Sequence, residues 1–157
     1  MIIGAILAAQ RGLRHLWQRM TDTLYAAYGS NLNRTQMAAR CPAAVSAGGV
    51  LVPGWRLAFN KWALIERDPE AEVAVGLWTV TPACLTSLDR FEGVPHAYVR
   101  DLLPLPDGRQ AVVYHDVAAR PGPPSLAYVQ RIRAGYRDFG FDLSGLAAAL
   151  ARIDFRR

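Results

Sequence analysis

The sequence contains few side chains of the kinds that bind metal ions or form disulfides. There are 2 cysteines and 3 histidines, and neither a CxxC nor an HExxH pattern brings them together. Metal sites built from protein side chains normally need such spacings, so we predict no metal site. A structural disulfide is not expected either, which favours a reducing compartment and a cytoplasmic location.

The sequence also lacks a long apolar run and a run of basic residues. The apolar stretch IIGAILAA, residues 2–9, is too short to span a bilayer, and no basic residue precedes it as in a signal peptide. The net charge is +5, but the basic residues are dispersed, so we predict no nucleic-acid partner and no membrane partner. A basic nucleic-acid-binding module is kept as a distant alternative.

The chain of 157 residues is long enough for one ordinary domain. We interpret residues 1–22 as an N-terminal extension and residues 23–157 as the domain. Met20 precedes a natural domain start, so we expect the core to assemble without residues 1–19. The alternative is that this segment forms an amphipathic helix that docks on the sheet, on a partner subunit or on a membrane.

Strand and helix signals follow one another in a mixed order. Residues 24–28 read as a strand, and residues 43–80 carry β-branched and aromatic residues typical of several more. Thr81 and Ser125 are typical helix N-caps, and Gly93 is a typical helix end. Two strands joined by Asp-Gly lie between these two helices. The order predicts an α+β domain with a small, mostly antiparallel, barrel-like mixed sheet and flanking helices.

The segment LYAAYGSNL, residues 24–32, places a polar, glycine-containing turn directly after the first strand. Such a turn presents several backbone N–H groups in one direction, and this arrangement attracts an anion. Gly29 permits close approach by a ligand or an unusual backbone angle. Ser30 and Asn31 can also donate hydrogen bonds. Taken alone, the segment is equally compatible with an ordinary turn.

The segment LDRFEGV, residues 88–94, ends a predicted helix with a carboxylate. Both the helix dipole and burial would raise the pKa of Glu92 toward the range of a general base. The alternative is a surface glutamate at a fraying helix end. The spacing of Leu88 and Phe91 predicts a buried stripe, whereas Asp89 is expected to be exposed.

The segment PPSLAYVQRI, residues 123–132, fixes Tyr128 in the first turn of a helix. A core tyrosine with a satisfied hydroxyl would give the same pattern. Together and in this order, YGSNL, LDRFEGV and PPSLAYVQRI resemble the gamma-glutamylcyclotransferase-like superfamily. The resemblance covers roughly residues 23–153.

The resemblance implies a cofactor-free and metal-free cyclotransferase. Its substrate would be a gamma-glutamyl amino acid or amide, whose own α-amine attacks the side-chain carbonyl to form 5-oxoproline and release an amino acid or amine. Glu92 falls on the catalytic glutamate, which acts as acid and base. The implied substrate-binding residues are Tyr25, Tyr28, Gly29, Ser30, Asn31, Leu32, Tyr114 and Tyr128.

Several alternatives remain open within this resemblance. The substrate could instead be a gamma-glutamyl amine or a gamma-glutamyl-protected biosynthetic intermediate, and a non-catalytic binding protein could keep the fold. A homodimer is one alternative for the oligomeric state. The stretch EGVPHAYV carries Pro95 and His96 where some relatives have a glycine, so we expect a different outer wall of the pocket.

Overall fold

The computed structural model describes residues 22–118, 120 and 122–153. Apart from Asp22, the predicted N-terminal extension lies outside the described residues. In chain order the elements are strand β1 (Thr23–Ala27), a 3₁₀ turn (Ser30–Leu32), helix α1 (Arg34–Arg40), strands β2 (Val45–Asn60) and β3 (Trp62–Val80), helix α2 (Pro82–Glu92), strands β4 (Tyr98–Pro104) and β5 (Gln110–Asp116), and helices α3 (Leu126–Asp138) and α4 (Ser144–Ala151).

The strands form one 5-stranded sheet in the order β2-β3-β1-β5-β4. Strand β1 pairs with β5 in parallel, and the other neighbouring pairs are antiparallel. The predicted α+β class with a mixed, mostly antiparallel sheet is confirmed. The sheet is not closed into a barrel, because β2 and β4 are its two edges and no pairing among the described residues joins them.

Strands β2 and β3 form a long hairpin. The segment was predicted to form several strands, and it forms these two long ones. They are joined by a tight turn at Lys61, which has a φ of 65°. Of the residues of β3, only the last part, from Gly76 to Val80, pairs with β1. The tip of the hairpin reaches the loop before α3, where the Lys61 amide donates to the Gly122 carbonyl over 2.8 Å.

The predicted helix boundaries are confirmed by their capping hydrogen bonds. The Thr81 side chain accepts from the Cys84 amide, and Gly93 ends α2 in the left-handed region with a φ of 66°. The Ser125 side chain accepts from the Tyr128 amide at the start of α3. These caps make Glu92 the last residue of α2 and hold Tyr128 in the first turn of α3.

Helix α3 packs directly on the turn that follows β1. A Cβ atom at Gly135 would lie 2.4 Å from the Leu32 Cβ, so only glycine allows this approach. Leu88 is fully buried as predicted, but the prediction for Phe91 is wrong, because its side chain is 57% exposed. In the part of the chain that the structure describes, no helix is long and apolar enough to cross a bilayer.

Candidate active site

A small cavity lies where the turn after β1, the end of α2 and the start of α3 meet. The centre of a water molecule can occupy about 30 Å³ of it. We call it the inner cavity. Its walls are formed by Tyr25, Tyr28, Gly29, Ser30, Asn31, Ala63, Glu92, Tyr98, Tyr114 and Tyr128.

The inner cavity therefore brings together every residue that the sequence placed in the site except Leu32. The Leu32 side chain is fully buried on the other side of the turn. It lies against Gly76 of β3 and Gly135 of α3, at positions where an added Cβ would collide with it. Leu32 therefore fills the core, and its role in substrate binding stays a prediction.

A wider cavity, which we call the outer vestibule, adjoins the inner cavity. The centre of a water molecule can occupy about 360 Å³ of it. Ser30, Glu92, Tyr98 and Tyr128 border both spaces. The remaining walls of the outer vestibule are Arg40, Trp62, Phe91, Gly93, Ala97, Arg120 and Arg131. Glu92 thus lies at the junction of the two spaces.

The Glu92 carboxylate is mostly buried, with 17% of its side chain exposed. Its Oε1 accepts a hydrogen bond from Asn31 Nδ2 over 3.0 Å and lies 3.6 Å from Arg40 Nη1. Burial raises the pKa of Glu92 above its usual range, while Arg40 and Asn31 partly oppose this shift. A carboxylate with a raised pKa at the mouth of a cavity suits a general acid or base.

Asn31 is held in one orientation by its neighbours. Its Oδ1 accepts from Gln36 Nε2 and from Arg40 Nη1, each over 2.9 Å. The Nδ2 group therefore faces the Tyr25 hydroxyl, at 2.9 Å, and the Glu92 carboxylate. The Asn31 side chain is buried, and its polar atoms are engaged within the protein. In this orientation Asn31 donates to Glu92, and its role in binding a ligand stays a prediction.

Helix α1 is tied to α2, which fixes Arg40 beside Glu92. The Ser87 hydroxyl donates to the Arg40 carbonyl over 2.7 Å. The Cys41 thiol donates to the Cys84 carbonyl over 3.4 Å, and both cysteines are buried and free. These contacts place a guanidinium near the carboxylate without a direct hydrogen bond to it.

Three tyrosines of the inner cavity donate their hydroxyl protons to protein acceptors. Tyr28 donates to the Tyr114 carbonyl over 2.6 Å, and Tyr98 donates to the Ala63 carbonyl over 2.9 Å. The Tyr114 hydroxyl donates to Asp89 Oδ1 over 2.8 Å. These hydroxyls connect the walls of the cavity and have no proton left to offer a ligand.

Tyr25 and Tyr128 differ, because their hydroxyl oxygens accept from N–H donors. The Tyr25 oxygen accepts from Asn31 Nδ2, and the Tyr128 oxygen accepts from the Ala63 amide over 3.1 Å. Burial raises the pKa of both hydroxyls, so they keep their protons at neutral pH. Each can therefore donate a hydrogen bond in another direction.

Gly29 lies where there is little space for a side chain. Its backbone, with φ −110° and ψ −137°, is neither helical nor in the usual extended region. An added Cβ atom would lie 3.1 Å from the Ala63 Cβ and 3.4 Å from the Tyr128 hydroxyl. A larger side chain here would fill the inner cavity.

Asp89 lies one turn before Glu92 but in a different environment. The expectation that it is exposed is wrong, because only 29% of its side chain is exposed. Arg100 Nε donates to Asp89 Oδ1 over 2.7 Å, and the pKa of Asp89 is lowered by this contact and by the Tyr114 hydroxyl. Asp89 does not line the inner cavity, but it accepts the hydrogen bond that orients the Tyr114 hydroxyl.

The sequence analysis assigns no role to Ala63 and Tyr98 of the inner cavity, nor to Arg40 beside Glu92. Tyr98 closely follows the LDRFEGV segment, and this position in the sequence could have indicated that it lies near the site. Gln36 and Arg40 are four residues apart on α1, so their common face could be inferred, but not what it contacts. Ala63 contributes backbone groups from the hairpin, for which a sequence carries no signal.

Within the described residues, no group of three or more His, Cys, Asp or Glu side chains could hold a metal ion.

Comparison with known proteins identifies relatives of this fold. The chain matches the family model described as gamma-glutamyl cyclotransferase, AIG2-like, over residues 25–130. A solved gamma-glutamyl cyclotransferase has a TM-score of 0.70 and 26% sequence identity, covering 85% of this chain and 88% of its own. An uncharacterized protein from Homo sapiens has a TM-score of 0.70 and 25% identity, covering 85% and 89%. No curated protein matches the chain.

A more distant structure supports the fold alone. YkqA from Bacillus subtilis has a TM-score of 0.70 and 16% identity, covering 84% of this chain and 55% of its own. The family match spans more than half of this chain, from Tyr25 in β1 to the first turns of α3. It includes the segments that carry the resemblance noted in the sequence, which is thereby confirmed. The chain belongs to the gamma-glutamyl cyclotransferase, AIG2-like family.

Proposed function

We propose that the protein is a gamma-glutamyl cyclotransferase, which converts a gamma-glutamyl amide to 5-oxoproline and a free amine or amino acid. The observation that carries the proposal is the placement of Glu92. Its carboxylate is mostly buried, has a raised pKa, and borders both the inner cavity and the outer vestibule. The family to which the chain belongs includes cyclotransferases of this kind.

The gamma-glutamyl group would occupy the inner cavity, with its α-carboxylate at the turn after β1. Ser30 and Asn31 begin the 3₁₀ turn, and the first N–H groups of a helical turn have no acceptor within it. Two such N–H groups in a cavity wall suit an anionic group. The leaving group would then extend past Glu92 into the outer vestibule.

The reaction needs a folded substrate and the movement of one proton at Glu92. As the α-amine forms a bond to the side-chain carbonyl carbon, Glu92 accepts a proton from the α-nitrogen. As the bond from that carbon to the leaving nitrogen breaks, Glu92 returns the proton to the leaving nitrogen. The attack is intramolecular, so the enzyme supplies proximity by holding the chain bent and needs no nucleophile of its own.

The negative charge that develops on the carbonyl oxygen needs hydrogen-bond donors. Tyr25 and Tyr128 are the tyrosines of the inner cavity whose hydroxyl protons are not committed to a protein acceptor in the hydrogen bonds described above. We assign them this role. Because both hydroxyls are already oriented by N–H donors, little reorganisation would accompany the reaction.

Release of 5-oxoproline tests the proposal. The purified protein is incubated with gamma-glutamyl dipeptides, gamma-glutamyl amines and glutathione in the presence of a chelator, and products are identified by mass spectrometry. We expect 5-oxoproline and the free leaving group in equal amounts from at least one compound. If none of them releases 5-oxoproline above the rate without protein, the proposal fails.

A further inference from the structure

The walls of the outer vestibule contain side chains that the reaction at Glu92 does not require. It contains three arginines and two exposed aromatic side chains. Two of the arginines have anionic or polar partners within the protein. Arg40 donates to Asn31 Oδ1 over 2.9 Å, and Arg120 Nη2 lies 2.6 Å from Asp116 Oδ2.

Arg131 is the third arginine, and it differs from the other two. It is exposed on α3, and within the described part of the chain it has no hydrogen bond or ion pair. Tyr128 and Arg131 are three residues apart, so they lie on the same face of the helix. That face therefore presents a hydroxyl to the inner cavity and a guanidinium to the outer vestibule.

The two aromatic side chains give the outer vestibule an apolar surface. Trp62 is 39% exposed, and its ring packs edge-on against Tyr128 with centroids 5.0 Å apart. Phe91 lies beneath the Arg40 guanidinium, 4.6 Å from the ring centroid. Covering such aromatic surface with an apolar group removes it from water, which is favourable.

We propose that the outer vestibule is a binding site for a leaving group that is an α-amino acid with a large apolar side chain. Arg131 binds its carboxylate, and Trp62 and Phe91 contact its side chain. This inference rests on the proposed function. A simple amine would leave Arg131 without an anion and the aromatic surface partly in water, so the site selects amino acids over amines.

A matched pair of substrates isolates the carboxylate. Gamma-glutamyl-phenylalanine and gamma-glutamyl-phenethylamine differ only in the carboxylate of the leaving group. A hydrogen-bonded charge pair that forms in one complex and not the other corresponds to about a 10- to 100-fold difference. We expect kcat/KM of the wild-type protein to favour the phenylalanine compound by that factor, mainly through a lower KM.

A matched pair of variants isolates Arg131. The Arg131→Gln variant should lose this preference by weakening turnover of the phenylalanine compound, with the phenethylamine compound unchanged. Arg137→Gln is the control, because it removes the same charge from an exposed position on the same helix but outside the outer vestibule. It should leave both values of kcat/KM within about twofold, the scale of a neutral surface change.

The outcomes separate this inference from the function on which it rests. If the wild-type protein turns over both compounds equally, or if Arg131→Gln slows both equally, the leaving-group site is wrong while 5-oxoproline release still supports the cyclotransferase. If only other gamma-glutamyl compounds release 5-oxoproline, the site is again wrong. If no gamma-glutamyl compound does so, both proposals fail together.

Discussion

The inner cavity and the outer vestibule are adjacent, but different kinds of chemical group form their walls. The inner cavity consists of buried hydroxyls and backbone groups that are hydrogen-bonded to one another. The outer vestibule consists of arginines and partly exposed aromatic rings. We infer that the first region holds the part of the substrate that reacts, whereas the second distinguishes one leaving group from another.

The two carboxylates of α2, Glu92 and Asp89, also lie in different environments. Burial raises the pKa of Glu92, whereas the Arg100 contact lowers the pKa of Asp89. The two residues are three apart on one helix, so local sequence alone does not explain the difference. A carboxylate that is bonded to an arginine stays ionised and fixed, and it can orient Tyr114 but is a poor base.

The largest expected effect is on turnover when the Glu92 carboxylate is replaced. Glu92→Gln keeps the shape and removes the proton acceptor, so we expect kcat to fall by about 10²- to 10⁴-fold. The measurement is 5-oxoproline formation at saturating substrate. Glu70→Gln, at an exposed position of β3, is the control and should stay near the wild-type rate. A Glu92→Gln enzyme with nearly full turnover would remove Glu92 from the mechanism.

The second prediction compares Tyr128 and Tyr98, whose hydroxyls both form hydrogen bonds with Ala63. Tyr128 accepts from the Ala63 amide, and Tyr98 donates to the Ala63 carbonyl. Replacing either tyrosine by phenylalanine leaves one buried Ala63 group without its partner, so both variants should lose about 1–3 kcal/mol of stability. Only Tyr128→Phe also removes an oxyanion donor, so it alone should lower kcat by about 10²-fold. Equal values of kcat for the two variants would contradict the assignment.

The third effect concerns the substrate α-carboxylate. A substrate with that carboxylate amidated should bind about 10- to 100-fold more weakly, since charge-assisted hydrogen bonds to the turn are lost. Gly29→Val should weaken binding of the free acid as well, because its side chain would occupy the inner cavity. Gly145→Val is the matched control, since an added Cβ there meets nothing within 4 Å. Equal KM values for the amidated and free-acid substrates would disprove this placement of the carboxylate.

The smallest effect is on stability and depends on pH. Folding raises the pKa of Glu92, so the folded state favours the protonated carboxyl group. The stability that this group contributes is fully present below its unfolded pKa and is lost as the pH rises through its folded pKa. Glu92→Gln should therefore gain stability relative to the wild type as the pH rises through that window. Thermal melts of both proteins from pH 4 to 8 test this. A constant difference across the range would show that Glu92 titrates alike in both states.

Much of the fold was predictable because its signals are local. The caps at Thr81 and Ser125 and the glycine after Glu92 depend on neighbouring residues, and the structure has them as predicted. The environments of Phe91 and Asp89 were predicted wrongly, because they depend on contacts with Arg40 and Arg100 from other elements. Helical spacing indicates which residues share a face, but not what that face meets.

The candidate site shows the same limit. The residues within the three motifs were identified, but Ala63 enters the inner cavity from the hairpin tip through its backbone. Its contacts with Tyr98 and Tyr128 join residues 35 and 65 positions apart. Leu32 belongs to a motif and yet points into the core, because the turn places neighbouring side chains on opposite sides.

The tyrosine contacts at Ala63 also affect an open side of the sheet. The part of β3 near Ala63 pairs with β2 on one side, and β1 does not extend along its other side. Unpaired strand edges are templates for association with another chain. Two tyrosine hydroxyls occupy the amide and carbonyl of Ala63 on that open side. Two residues that line the inner cavity thus also cover the hydrogen-bonding groups of a stretch of β3 with which another strand could otherwise pair.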